Sequence, residues 1–462
     1  MNKSYPNLWR IVRLSDICEI IMGQSPPSTT YNDKKIGLPF YQGKLDFGEI
    51  YPIPRVWCSK PKKIAEVGDI LLSVRAPVGP TNICNEKCCI GRGLAAIRYY
   101  YREQHKFILY FFRSIENQIS KIGTGSTFSS ISKSKIENLS IPLPPLPEQQ
   151  RIVSKIEELF TKLDAGVDAL KKAKEQIKRY RQAVLKYAFE GMLTEEWREA
   201  NRDKLESASV LLERIKEERK KKLGKKYKEL PPIDTSELPT LPEGWMWVRV
   251  GEISDDIQYG YTAKAKNEPL GPKMLRITDI QENNVDWNNV PYCVIEPDKE
   301  KKYLLNEGDL VFARTGATVG KSFLIKGKIP KSIFASYLIR IVLSKNVFKE
   351  YVYNFFQSYE YWKQIISNQL GIGQPNVNSQ ILSKIILPLP PLAEQQKIVE
   401  EIERRFSVAD EVEKAIDNSL KQAERLRQSI LKKAFEGKLV PQDPNDEPAD
   451  KLLERVRKSL QL

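Results

Sequence analysis

The chain has 462 residues, 41% of them hydrophobic, enough for several cores at about 100 to 200 residues per domain and too long for one small module. No run approaches the ~18 consecutive apolar residues of a membrane span, Met1 to Arg10 lacks the apolar stretch of a secretory signal, and six cysteines are too few for a disulfide scaffold, so the expected compartment is the cytoplasm. Seventy-four Lys and Arg against 59 Asp and Glu leave a net charge of +15, which draws polyanions from a distance, nucleic acid foremost, or else forms a solvated surface.

Residues 1–147 mix short β-rich runs with helical stretches, the pattern of an α/β or α+β domain. Ile70-Leu-Leu-Ser-Val74 suits a strand and Lys106 to Ile119 a helix. Polar, Gly-containing loops lie between: Met22-Gly-Gln-Ser-Pro-Pro-Ser28, Arg75-Ala-Pro-Val-Gly79, Gly91-Arg-Gly93 and Gly123-Thr-Gly-Ser-Thr127. Arg holds guanine and Asn or Gln holds adenine with paired hydrogen bonds, and Gly permits close backbone approach to a phosphate. Gln24, Ser25, Gln42, Arg75, Arg92 and Thr124 are the candidate DNA contacts here.

Prolines 142, 144, 145 and 147 forbid helix upstream, and a long helix is expected to start near Glu148-Gln-Gln150, within a segment 148–206. Ile156, Leu159, Leu163, Leu170, Ala173, Ile177, Tyr180, Val184 and Tyr187 follow a heptad alternation in which Gly166 is weak. From Ile152 to Glu190 such a helix is about 58 Å long at ~1.5 Å per residue. Residues 207–239 read as a helical, basic linker, with seven Lys or Arg in the ten positions Arg219 to Lys228; such a run grips phosphate or, more often, stays solvated and mobile.

Residues 240–393 repeat the mixed pattern. Leu310-Val-Phe-Ala313 and Tyr337-Leu-Ile-Arg-Ile-Val342 suit strands and Phe348 to Ile366 a helix, around the loops Tyr259-Gly-Tyr-Thr262, Arg314-Thr-Gly-Ala-Thr318 and Gly371-Ile-Gly-Gln-Pro-Asn376. Tyr261, Arg276, Arg314, Lys321, Gln374 and Asn376 are the candidates here. A second long helix fills 394–440, with the stripe Ile402, Phe406, Ala409, Val412, Ile416, Leu420, Ala423, Leu426 and Ile430, and a helical tail occupies 441–462. The expected interface of the two helices is Ile156, Leu159, Leu163, Leu170, Ile177 and Val184 against Ile402, Val412, Ile416, Leu426 and Ile430. Chain order favours an antiparallel coiled coil separating two globular domains.

The halves duplicate one another. Leu143-Pro-Pro-Leu-Pro-Glu-Gln-Gln-Arg-Ile-Val153 returns as Leu389-Pro-Pro-Leu-Ala-Glu-Gln-Gln-Lys-Ile-Val399, and Ala188-Phe-Glu-Gly191 as Ala434-Phe-Glu-Gly437, both offset by 246. One inserted residue would rotate everything beyond it by about 100°, so a constant offset is what a paired helix demands. Val12-Arg-Leu-Ser-Asp-Ile17 with Val248-Arg-Val-Gly-Glu-Ile253, Gly68-Asp-Ile-Leu-Leu72 with Gly308-Asp-Leu-Val-Phe312, and Leu211-Leu-Glu-Arg-Ile215 with Leu452-Leu-Glu-Arg-Val456 align at offsets from 236 to 241, as variable loops would give.

No catalytic constellation emerges. Gly316-Ala-Thr-Val-Gly-Lys-Ser322 is one residue short of a P-loop. Cys84, Cys88 and Cys89 fit no common zinc spacing, and His105 is the single histidine, so no metal is expected and a His-dependent triad is disfavoured. There is no Asn-Pro-Pro-aromatic tetrapeptide and no Gly-rich cofactor loop.

The two Leu-Pro-Pro-Leu-x-Glu-Gln-Gln segments, Leu241-Pro-Glu-Gly-Trp245, Arg75-Ala-Pro-Val-Gly79 and Gly123-Thr-Gly-Ser-Thr127 together resemble the specificity (S, HsdS-type) subunits of type I restriction-modification systems, over nearly the whole chain. The first half departs from the pattern: Leu8-Trp-Arg-Ile-Val12 stands where a Leu-Pro-Glu-Gly-Trp lead-in is usual. The resemblance implies two target-recognition domains reading a split, asymmetric duplex DNA sequence, no catalysis and no cofactor in this chain, and no membrane. Its partners would be two modification subunits using S-adenosylmethionine and two restriction subunits using ATP and Mg. The alternatives are the specificity subunit of a two-component type IIB-like enzyme, a self-sufficient nuclease or methyltransferase, and a coiled-coil adaptor without DNA specificity.

Overall fold

The structure is a computed structural model and describes residues 5–122, 130–281, 283–316, 318–367 and 376–460. The chain divides into two compact units, residues 1–171 with 416–462 and residues 172–415. Each unit takes one globular domain, one half of the first long helix, Leu146–Phe189, and one half of the second, Leu392–Phe435.

In the first unit a four-stranded antiparallel sheet runs in the order Cys18–Met22, Leu94–Tyr99, Ile70–Ser73, Thr81–Ile83. All four residues of Ile70–Ser73 are buried, which is why this run shows no apolar/polar alternation: both of its faces are covered. Helix His105–Ser114 packs through Phe107 to Phe112. The sequence predicts one helix from Lys106 to Ile119; the structure has two, because Ile115 leaves the helical conformation and Glu116–Ile122 starts afresh.

The second unit repeats this order with Ser254–Tyr259, Leu338–Leu343, Leu310–Ala313 and Ser322–Leu324. The helix expected over Phe348 to Ile366 is likewise split, into Lys349–Phe355 and Tyr359–Ser367, with the Ser358 hydroxyl accepting from the Tyr361 amide at 3.3 Å. The basic stretch is not simply a mobile linker. Helix Ala208–Leu223 buries Leu211, Leu212 and Ile215 in this unit's core, Arg219 donates to the Glu252 carbonyl and Lys222 pairs with Asp255.

Both long helices have 44 residues, about 66 Å at ~1.5 Å per residue. The first starts at Leu146, two positions ahead of Glu148, because Pro147 is tolerated in a first turn whose amides lack helical partners anyway. Its buried and half-buried seam is Ile156, Phe160, Leu163, Val167, Leu170, Lys174, Ile177, Arg181, Val184 and Ala188. The seam of the second is Ile402, Phe406, Ala409, Glu413, Ile416, Leu420, Ala423, Arg427, Ile430 and Ala434, each 246 residues later. Val412 and Leu426, expected at the interface, are instead 47% and 51% exposed, and Tyr180 and Tyr187 also face solvent. A strict 4-3 alternation passes through Glu413 and Arg427; choosing the nearest apolar residue at those two steps selects a neighbour on the outer face. The early part of the first helix meets the late part of the second at Asp164 and Arg427, and its late part meets the early part of the second at Arg181 and Asp410, so the pair is antiparallel.

The duplicated motifs bind each domain to the helices. Glu148 and Glu394 are fully buried. Glu148 accepts from the Trp9 indole at 2.9 Å and from Gln442 at 2.6 Å; Glu394 accepts from the Trp245 indole, Thr194 and Arg198, each at 2.8 Å. Trp9 therefore does in the first unit what Trp245 does in the second, despite the missing Leu-Pro-Glu-Gly. Gln149 and Gln395 donate back to the carbonyls of Pro144 and Pro390 at 3.1 and 2.9 Å. Gly191 and Gly437 end the helix repeats at φ +77° and +70°, where a Cβ would strike Pro242 and Pro6. Phe189 packs on Tyr351 and Phe355, and Phe435 on Phe107 and Phe111.

Candidate nucleic-acid interface

In the first unit four segments are sewn together at one end of the four-stranded sheet. Gly23 donates to the Leu94 carbonyl at 2.9 Å, Gln24 to Ile90 at 3.0 Å, Val74 to Gly93 at 2.9 Å and Ile131 to Val74 at 3.0 Å. The second unit repeats the stitching. Gly260 donates to Leu338 at 3.1 Å, Tyr261 to Phe334 at 2.8 Å, Arg314 to Tyr337 at 3.0 Å and Val377 to Arg314 at 3.0 Å. The bridge Arg75 to Ser130 corresponds to Thr315 to Asn376. Gln24 thus occupies the place of Tyr261, Val74 that of Arg314 and Arg75 that of Thr315. One framework carries two different sets of side chains.

These glycines serve the framework. A Cβ on Gly23 would overlap the Gly91 carbonyl, one on Gly93 the Gln42 carbonyl, and one on Gly260 the Ala335 carbonyl. The close approach they permit is between loop backbones.

Of the first unit's candidates, Gln24, Gln42, Arg75 and Arg92 are exposed, while Ser25 is half-buried and its hydroxyl accepts from the Arg92 amide at 3.2 Å. Gln42, Arg75 and Arg92 line one depression of about 180 Å³ together with Lys44 and Ser73. Sequence reasoning missed Lys44; its place two residues after Gln42 in Gln-Gly-Lys was the available signal. Thr124 and Gln374 lie outside the described residues.

Among the second unit's candidates, Arg314 has its guanidinium 4.9 Å from the Tyr259 ring centre. Its Nε and the Asn376 Oδ1 are buried without a hydrogen-bond partner among the described residues. Tyr259, not among the candidates, is fixed by the Ser379 amide, which donates to its hydroxyl at 3.1 Å; burial raises that phenol's pKa, but the Ser379 hydrogen bonds and the Arg314 charge outweigh it and the net shift is downward. Arg276 is committed elsewhere, with Asp279 at 2.7 and 3.1 Å holding its pKa above the ordinary value. Tyr261 packs on Tyr303, ring centres 5.3 Å apart, and Lys321 is exposed at the start of Ser322–Leu324. A separate cavity of about 690 Å³ in this unit, lined by Lys186, Phe189, Trp247 and Tyr359 among others, includes none of the candidates.

His105 Nδ1 lies 2.7 Å from the Arg102 carbonyl. All six cysteines are free and buried; hydrogen bonding to Cys84 and burial push the Cys88 thiol far up, away from the nucleophilic thiolate. Among the described residues no group of three or more His, Cys, Asp or Glu is placed to hold a metal ion, and no helix is long and apolar enough to cross a membrane.

Comparison with known proteins bears on this geometry directly. Residues 6–179 and 242–422 match the family model described as the type I restriction modification DNA specificity domain. A putative type I restriction enzyme MjaX specificity subunit of Methanocaldococcus jannaschii is 40% identical over 191 residues, covering 41% of this chain and 44% of that protein. The type I restriction enzyme EcoDI specificity subunit of Escherichia coli is 24% identical over 461 residues, covering 97% and 94%. The HsdS subunit of Thermoanaerobacter tengcongensis has a similar fold, with a TM-score of 0.53 at 20% identity over 95% of this chain and 99% of that one. With two family domains in tandem, each ending in a long helix, the chain belongs to the specificity subunits of type I restriction-modification systems.

Proposed function

We propose that this chain supplies the DNA address of its enzyme and performs no chemistry itself. Each loop cluster reads one half of a bipartite, asymmetric duplex sequence, and the long helices fix the unread gap and dock two modification subunits. Methyl transfer from S-adenosylmethionine to adenine, and ATP- and Mg-dependent translocation and cleavage, belong to modification and restriction subunits in the cytoplasm. The observation that carries this reading is the shared stitching of the two loop clusters beneath unlike side chains, Gln24 against Tyr261 and Arg75 against Thr315. A common scaffold with different donors and acceptors suits the reading of two different half-sites, and a net charge of +15 suits the phosphate backbone.

The test is to sequence methylated adenines in DNA exposed to this chain with its modification subunits. A single split motif with one gap length is expected. Methylation by the chain alone, or methylation without a motif, defeats the reading.

A further inference from the structure

We propose that Arg314 reads a guanine through the major groove in the half-site of the second unit, and that Tyr259 is the residue positioning it. The assignment rests on the DNA-reading function above. Arg314 follows strand Leu310–Ala313 directly, and its backbone is held from both sides, its amide by the Tyr337 carbonyl and its carbonyl by the Val377 amide, both at 3.0 Å. Its guanidinium stacks on Tyr259, which Ser379 immobilises in turn. A planar fork stacked on a ring loses little further freedom when it forms two parallel hydrogen bonds, and guanine offers the matching pair of acceptors, O6 and N7.

Polar atoms cluster around this fork. Arg314 Nε and Asn376 Oδ1 are both buried and have no hydrogen-bond partner among the described residues, and Asn376 is bridged to Thr315, the residue next to Arg314. The terminal guanidinium nitrogens make no hydrogen bond to any described residue, so the donors that face guanine are available. Phosphate-binding arginines need only charge and reach, whereas this one is half-buried and oriented. In the first unit the equivalent place belongs to Val74, which is buried. Arginine 75 takes the neighbouring position and points to solvent. Guanine reading through this position therefore belongs to one half-site only.

The experiment selects bound sequences from a library of randomised DNA duplexes, using the full chain with its modification subunits. Wild type is expected to require guanine at one position of one half-site. Arg314→Ala and Arg314→Lys should both relax that requirement by roughly 10- to 100-fold, leaving the other half-site as an internal control of folding. Tyr259→Leu should weaken the same position, and Tyr259→Phe, which keeps the ring but loses the Ser379 anchor, should restore most of it. Full retention of the guanine preference by Arg314→Lys, or equal weakening on every sequence in Arg314→Ala, overturns the assignment while leaving DNA reading intact. A wild-type complex with no sequence preference overturns both.

Discussion

Arg181 on the first long helix lies 2.6 Å from Asp410 on the second, with its guanidinium 5.2 Å from the Phe406 ring centre. Its counterpart 246 residues later, Arg427, pairs with Asp164 and stacks on Phe160 at 4.5 Å. The four partners obey the same offset, so one clasp occurs twice. It puts a charge in the seam that only one register of the antiparallel pair satisfies, the device by which coiled coils choose alignment. Arg181→Leu and Arg427→Leu should each cost about 1 to 2 kcal/mol in chemical denaturation, nearly additively since the clasps share no residue. Stability equal to wild type in the double variant would remove the clasp from the account.

The seam assignment has a direct check. Val412→Lys, on the outer face, should change stability by less than about 0.5 kcal/mol. Glu413→Lys, one residue on, faces Lys174 at 3.7 Å and Arg181 at 3.3 Å, replacing attraction by repulsion, and should cost on the order of 1 kcal/mol. Thermal melts in which Val412→Lys is the worse variant would place the seam where the apolar residues alone put it.

The two buried glutamates should answer differently to neutralisation. Glu394 is paired with Arg198 at 2.8 Å, so Glu394→Gln leaves a largely buried cation short of its partner, at about 3 kcal/mol. Among the described residues Glu148 accepts hydrogen bonds from the neutral donors Trp9 and Gln442 and from no cation, and Glu148→Gln should cost little once the Gln442 amide turns to present its oxygen.

Burial raises the Glu148 pKa above its ordinary 4.5 despite the Trp9 and Gln442 hydrogen bonds. Between the ordinary and raised values the unfolded chain gives up its proton first, so this residue's contribution to stability is greatest at acid pH and is lost as pH rises through that window. Denaturation midpoints from pH 4 upward should therefore fall less steeply in Glu148→Gln than in wild type; parallel curves would sink the idea.

Gly191→Ala and Gly437→Ala should each destabilise by about 1 to 2 kcal/mol from the left-handed backbone alone, with more from the overlap with Pro242 and Pro6. A variant of either that melts with wild type would show that the helix end can reposition.

Periodicity and duplication made the gross plan legible, because a constant offset of 246 and a run of heptads report helix geometry directly. What they could not supply was the choice between adjacent residues where the seam turns polar. Arg181, Glu413 and Arg427 were invisible to an apolar pattern since their burial depends on partners brought from the other helix. The loops showed a similar limit. Arg75 and Arg314 each open a polar loop after a buried strand, yet they stand one residue apart in the hydrogen-bond register, so one faces solvent and the other leans on Tyr259. The glycine signals said nothing of the backbone crowding at Gly23, Gly93 and Gly260, because the crowding atoms come from other loops.

The composition of the first unit has a consequence for synthesis. Its core needs Leu431, Phe435 and Leu452 beside Phe107 and Ile141, whereas every residue of the second unit lies within the single stretch 172–415. On a ribosome the later-encoded unit can close first, while the earlier one waits with its apolar face open until residues beyond 450 emerge. A product cut short by premature termination near residue 415 would hold one finished reader and one unfinished, and chaperones or proteases would meet the half with the lower number.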